Sequence, residues 1–190
     1  MTREDIVAKA EAELGSTDQL KYLRYGGIDF RAAWCMAFVS WVFGELNGSA
    51  IPYRRVNCTP TRQWFRDRGR YMNKWSYTPI PGDLIFYDWD NDDTYVEHVG
   101  IVRFTDDDYV YTVEGNVDSR NGVSRVGYKK RLKTYGPTNG YGHTILDDIY
   151  DPTTPWEPEE PGSNPYNPPD EHAIWYQEKR FKWWLYSRKR

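Results

Sequence analysis

Two cysteines and three histidines are all that this 190-residue chain offers to thiol or imidazole chemistry. Two thiols cannot make a disulfide framework, and a single bridge between them would consume the only plausible nucleophile. No apolar run approaches the roughly 20 residues that a membrane-spanning helix needs. The opening residues, MTREDIVAKAEAELG, lack a basic stretch followed by an apolar one, so no signal peptide is read there. A net charge of −3 carries no nucleic-acid signature. Internal repeats are absent too.

Aromatic residues, by contrast, are plentiful at 17%, with 16 Tyr and 9 Trp. They serve equally well as core and as stacking surface for sugars or glycopeptides. The chain divides by composition into residues 1–150, a linker and a tail. Residues 151–170 hold seven of the twelve prolines and read as an extended linker. Residues 171–190 carry a net +4 and six aromatics, which suits docking onto an anionic surface or a protein partner. They are too short for an independent domain.

Within residues 1–150 helical patterns come first. Thr2 and Asp5 form a capping-box pair, and Ile6, Val7, Ala10 and Leu14 recur at helical spacing up to Gly15. A second helix is expected from about Ala33 to Leu46, with Trp34, Phe38, Trp41 and Val42 on a broad apolar side. Thr59-Pro60 suggests the start of a short third helix, with Trp64 and Phe65 inward. The period then changes to that of strands. IPGDLIFYDW, VEHVGIVRF, YVYTVEGN, VSRVGYKKR and GYGHTILDD read as five strands. Helices followed by consecutive strands indicate an α+β domain with an antiparallel sheet.

A cysteine in an apolar helix is by default a small buried hydrophobe. Cys35 departs from that default because RAAWCMAFVSWVFGELNG puts it in a helix's first turn, where exposed N–H groups and the dipole favour a thiolate. Its own N–H could also help to hold an oxyanion. A general base must come from elsewhere. His172 lies beyond the linker and His143 in a glycine-flanked stretch, whereas His98 opens a strand. Glu114 and Asn116 lie two apart on the next strand and so share a face. If Thr105 pairs with Tyr109 across Asp106–Asp108, His98 falls opposite Asn116 and diagonal to Glu114. A four-residue loop without a bulge would put His98 on the wrong face. Cys58 reads as structural or incidental.

The segments AWCMAFVSWVF, PGDLIFYDW followed by VEHVGIV, and VEGN together resemble the CHAP family of cysteine, histidine-dependent amidohydrolases and peptidases. The resemblance spans roughly residues 5–147. It implies a papain-like fold and cleavage of peptidoglycan, at the muramoyl-L-alanine amide or at a stem or cross-bridge peptide bond. Cys35 would be the nucleophile, His98 the general base and acid, Glu114 the group orienting the imidazole, and Asn116 a further polar contact. No metal or organic cofactor is implied.

Some phage members carry an Asp-rich calcium loop just upstream of the cysteine; here only Asp29 stands there, so none is expected. The Asp88, Asp90, Asp92 alternation lacks the turn glycine and distal Glu of a calcium loop and reads as a solvated loop. No glutamine lies six residues before Cys35, which leaves a second oxyanion donor undefined. Trp34, Trp89 and Tyr95 are the aromatic candidates for substrate contact, the last two flanking the loop before His98. The setting expected is a phage lysin, released from the host cytoplasm through a holin or mounted on the virion tail. In the latter case residues 171–190 would meet a phage structural protein. Competing readings are an NlpC-type enzyme, a general protein-cleaving protease, and a non-enzymatic particle-assembly module on the same scaffold.

Overall fold

A computed structural model of the chain describes residues 1–46, 50–52 and 54–144. The expected linker at 151–170, the tail at 171–190 and the end of the fifth expected strand, 145–148, lie outside them. Four helices come first: α1 (Arg3–Glu11), α2 (Gln19–Tyr25), α3 (Cys35–Glu45) and α4 (Cys58–Asp67). Six strands follow: β1 (Tyr71–Asn73), β2 (Leu84–Tyr87), β3 (His98–Thr105), β4 (Tyr109–Arg120), β5 (Val123–Leu132) and β6 (Thr138–Gly142). They form one antiparallel sheet in the order β1-β6-β2-β3-β4-β5. The α+β architecture is as the pattern of helices and strands implied. None of the described helices is long and apolar enough to cross a membrane.

Local chemistry accounts for the elements and for the departures from expectation. Thr2 and Asp5 close a reciprocal capping box on α1. Helix α2 was not expected; Asp18 caps it by accepting from the Lys21 amide at 3.2 Å, which makes the cysteine helix the third. Asn57, not Thr59, caps α4, because its side chain accepts from the Thr59 amide at 3.1 Å. The sixth strand, β1, is an edge strand of three residues, too short to show an alternating pattern. Strand β2 is buried throughout at LIFY, as suits a strand flanked on both sides.

Helix α3 lies on β3 and β4 with α1 and α2 alongside. Every residue from Cys35 to Phe43 is buried, so this helix is enclosed all round and not on one broad side alone. Tyr22, Trp34, Phe38 and Trp41 interlock there, Tyr22 stacking on Trp34 at 5.2 Å and meeting Phe38 edge-on. The Pro-Gly-Asp segment fastens α1 to the sheet. Asp83, fully buried, accepts from Arg3, Tyr77 and the Ile80 and Thr144 amides.

The β3–β4 turn differs from the expected one, and the difference cancels. Thr105 pairs with Val110, leaving a four-residue loop, because the Asp106 carboxylate accepts from the Asp108 and Tyr109 amides and draws Tyr109 out of the ladder. A bulge between Val102 and Phe104 absorbs the extra residue, and Arg103 in it reaches Glu11 on α1. Beyond the bulge the pairing is Ile101↔Val113, the register that a three-residue loop would have given. His98 therefore keeps the face it shares with Glu114.

Gly115 sets how closely α3 approaches β4. A Cβ there would lie 2.7 Å from Phe38 Cβ and 2.9 Å from the Trp34 ring. Gly115→Ala is expected to destabilise the fold by about 1–3 kcal/mol through overpacking, measured as a lower urea midpoint at unchanged slope.

Candidate active site

Cys35 is the first residue of α3. Trp34 stands at the N-cap and its side chain makes no capping bond there, so the first-turn amides are not taken up by a side-chain cap. The Met36 N–H donates to the Cys35 sulfur. Two further neighbours sit at contact distance: Cys58 Sγ at 3.7 Å and the Glu97 carbonyl oxygen at 3.8 Å.

His98, the first residue of β3, puts Nε2 2.8 Å from Glu114 Oε2, and its ring also interacts with the Cys35 side chain. Glu114 has no exposed surface. Its second oxygen accepts from the Tyr87 hydroxyl at 2.9 Å and the Thr112 hydroxyl at 2.6 Å. Thr112 is two residues before Glu114 on the same face of β4, and Tyr87 pairs with His98 across the β2–β3 ladder. Gly100 opens the space this carboxylate fills, since a Cβ there would stand 2.6 Å from Glu114 Cγ.

These contacts set the charges. Contact with Cys58 does most to hold the Cys35 thiol well below its ordinary range; burial opposes, and His98 and the Met36 amide add to the lowering. Burial works against an imidazolium at His98, yet hydrogen bonds to Cys35 and Glu114, and their negative charges, push its pKa up to about 10. Burial would likewise raise Glu114, but bonds from His98, Thr112 and Tyr87 outweigh it and keep the carboxyl below its usual range. Tyr87 is held high by its own burial and by the Glu114 charge, so it stays a hydroxyl donor. These directions favour a thiolate facing an imidazolium backed by a carboxylate.

Residues 27–116 match the family model described as the CHAP domain. That segment is just under half of the chain. A solved structure described as "The crystal structure of Ly7917" is similar with a TM-score of 0.51 and 14% identity, over 76% of this chain and 63% of that one. A second, of Ly7917 "with the hydrolyzing product of MDP", gives a TM-score of 0.48 at 14% identity, over 75% and 63%. At that identity the likeness is one of fold, and the chain covers less than two thirds of the Ly7917 chains. No curated protein matches.

The fold brings three of the four expected residues, Cys35, His98 and Glu114, into one line. The bond it gives Asn116 is elsewhere: Oδ1 accepts from Ser124 at 2.8 Å, and Ser124 accepts in turn from Trp34 Nε1 at 2.9 Å. Asn116 thus braces the residue before the cysteine across the β4–β5 hairpin, from a left-handed backbone at φ 64°. Trp34, expected as a substrate contact, is fully buried and stacked on Tyr22, so it has no ring face to offer. A large ring at the N-cap of an enclosed helix is needed by the core.

Trp89 and Tyr95 are 43% and 44% exposed. Trp89 stacks on Tyr87 at 5.3 Å and lies 6.0 Å from the His98 ring, forming an aromatic rim beside the imidazole. Asp88, Asp90 and Asp92 bring carboxylate oxygens within 4.8 Å of one another, and Asp88 spends its own on the Asn91 and Asp93 amides.

Sequence reasoning missed Tyr87, Thr112 and Cys58. Thr112 carried a signal in its two-residue spacing from Glu114; Cys58 carried none, because its approach depends on how α4 folds back. The predicted histidine titration is specific. In labelled protein His98 should titrate well above the ordinary imidazole range near 6.5, and Glu114→Gln or Gly100→Ala should lower it by about one pH unit or more. A wild-type His98 titrating near 6.5 would contradict the arrangement described.

Proposed function

We propose that the chain is a peptidoglycan hydrolase that cleaves an amide bond, either the muramoyl-L-alanine amide or a peptide bond of the stem or cross-bridge. One observation carries this reading: Cys35 at the start of α3, beside a His98 ring whose Nε2 lies 2.8 Å from the fully buried Glu114 carboxylate. That is the constellation nucleophilic amide cleavage needs, and it lies within the matched CHAP segment.

The Cys35 thiolate attacks the amide carbonyl carbon, and the carbonyl oxygen takes the negative charge. The α3 N-terminal amides provide for that oxyanion, the Cys35 N–H being nearest to hand. His98 gives its proton to the leaving amine as the C–N bond breaks. Water then attacks the thioester, His98 accepts a proton from it, and the acid product leaves Cys35 free. Glu114 keeps the ring oriented and stabilises its cationic form throughout. Trp89 and Tyr95 are the proposed rim for glycopeptide contact. No step requires a metal or an organic cofactor. The family resemblance favours a phage lysin acting on the wall, free or on the particle, with residues 171–190 as the segment for a wall polymer or phage protein.

The reading is tested with purified cell walls of several chemistries, following turbidity and identifying released fragments by mass spectrometry. Wild type is expected to clear them and Cys35→Ala to be inactive, a loss of about 10⁴-fold or more. The new termini name the bond. Clearing by neither protein on any wall would favour the non-enzymatic assembly module, and clearing by both would remove Cys35 from the chemistry.

A further inference from the structure

Cys58 favours the Cys35 thiolate but makes no bond and moves no proton in the hydrolytic cycle. Its sulfur stands 3.7 Å from the nucleophile, and both thiols are reduced and buried. Each is the first residue of its helix, so the N-termini of α3 and α4 converge on the sulfur pair, where a negative sulfur is favoured. The approach is fastened. Thr59 Oγ1 accepts from the Val96 amide at 3.0 Å and faces the Val96 carbonyl at 3.3 Å, two residues before His98. One turn on, Arg62 donates to the Asp93 and Thr94 carbonyls and to the Asp93 carboxylate. The first turns of α4 are therefore held to the segment that delivers His98 to Cys35.

We propose that Cys58 is a resolving thiol, so that Cys35 oxidised by a peroxide is captured as an intramolecular Cys35–Cys58 disulfide, a reversible off state of the site. The chemistry balances with one peroxide. The Cys35 thiolate attacks one peroxide oxygen, the O–O bond breaks, and the departing hydroxide takes up a proton as water. Cys35 is then a sulfenic acid. The Cys58 sulfur, giving up its proton, attacks the Cys35 sulfur, the S–O bond breaks, and a second water leaves. Two thiols are oxidised to a disulfide and the peroxide is reduced to two waters.

Geometry favours this capture over its competitors. A disulfide needs about 2.05 Å between sulfurs, so the pair must close by roughly 1.7 Å, within reach of side-chain rotation and a small shift of a helix end. Both thiols are about nineteen-twentieths covered or more. An external thiol must first diffuse to Cys35, while Cys58 is already in contact with it. Without Cys58, the sulfenic acid would proceed to sulfinic and sulfonic acids, which are not reduced back by dithiols. That the disulfide silences activity rests on Cys35 being the nucleophile as proposed above; that it forms does not.

The test treats the full chain with hydrogen peroxide, alkylates remaining thiols, and reads intact mass and unreduced peptides alongside wall clearing before and after dithiothreitol. Wild type should lose two hydrogens, lose both alkylatable thiols together, yield a Cys35–Cys58 peptide pair, and regain its starting activity with the reductant. Cys58→Ser, and Cys58→Ala as a second variant, should instead gain two or three oxygens at Cys35 and regain none of their own starting activity. Wild type that gains oxygens at Cys35 while Cys58 still alkylates would overturn the proposal, and that mass decides the matter even if neither variant folds. Equal recovery in Cys58→Ser would overturn it as well. A disulfide formed in protein that never cleared walls would uphold the resolving thiol and remove the hydrolase reading instead.

Discussion

A carboxylate with no exposed surface cannot stand alone in a protein interior, and Glu114 is such a group. Its placement constrains everything around it. Two hydroxyls, from Tyr87 and Thr112, occupy one oxygen, and the other is left to the His98 ring. Those hydroxyls satisfy the carboxylate without neutralising it. The imidazole in contact with it supplies a positive charge, and a cationic imidazole adds to the larger effect of Cys58 in favouring a thiolate at Cys35.

The fold serves this line of three groups by fixing two distances. The first is between β3 and β4, where Gly100 leaves room for the Glu114 side chain and the bulge after Val102 restores the register that aligns His98 with it. The second is between α3 and the sheet, where Gly115 admits Phe38 and Trp34. Trp34 is tied from above by Ser124 and Asn116, so the residue before Cys35 cannot drift from the hairpin. An enclosed helix has little freedom to slide, which keeps its first turn aimed at the imidazole. The glycines of VEHVGIV and VEGN are thus close-approach residues that let the charged groups meet.

Much of this was legible in the sequence because it follows from periodicity and spacing. The change from helical to strand period gave the α+β class, and the alternation along VEHVGIV and VEGN put His98 and Glu114 on one side of the sheet. The place of Cys35 in the first turn of a helix followed from its position ahead of an apolar run. What could not be read depends on contacts remote in sequence or on turns whose side chains alter the count. The Asp106 carboxylate lengthened the β3–β4 loop, and only the compensating bulge kept the register. Trp34 read both as part of its helix's apolar side and as a candidate substrate contact, because tryptophan beside a nucleophile suits either use, and burial decided for the core. Asn116 shares a strand face with Glu114, yet its left-handed backbone turns it toward Ser124. The approach of Cys58 to Cys35 is a tertiary event across 23 positions, with nothing local to announce it.

The claim at the centre of this account is that the contacts of Cys35, with Cys58 first and the His98 imidazolium beside it, favour its thiolate. The most direct measurement is the rate of alkylation of Cys35 as a function of pH, followed at its own peptide by mass spectrometry in the reduced protein. Wild type should show a plateau that begins well below the free-thiol range near 8.5, and His98→Ala should move the rise upward toward that range. A wild-type rate that climbs only above about pH 8, with no change on removing His98, would mean that Cys35 rests as an ordinary buried thiol.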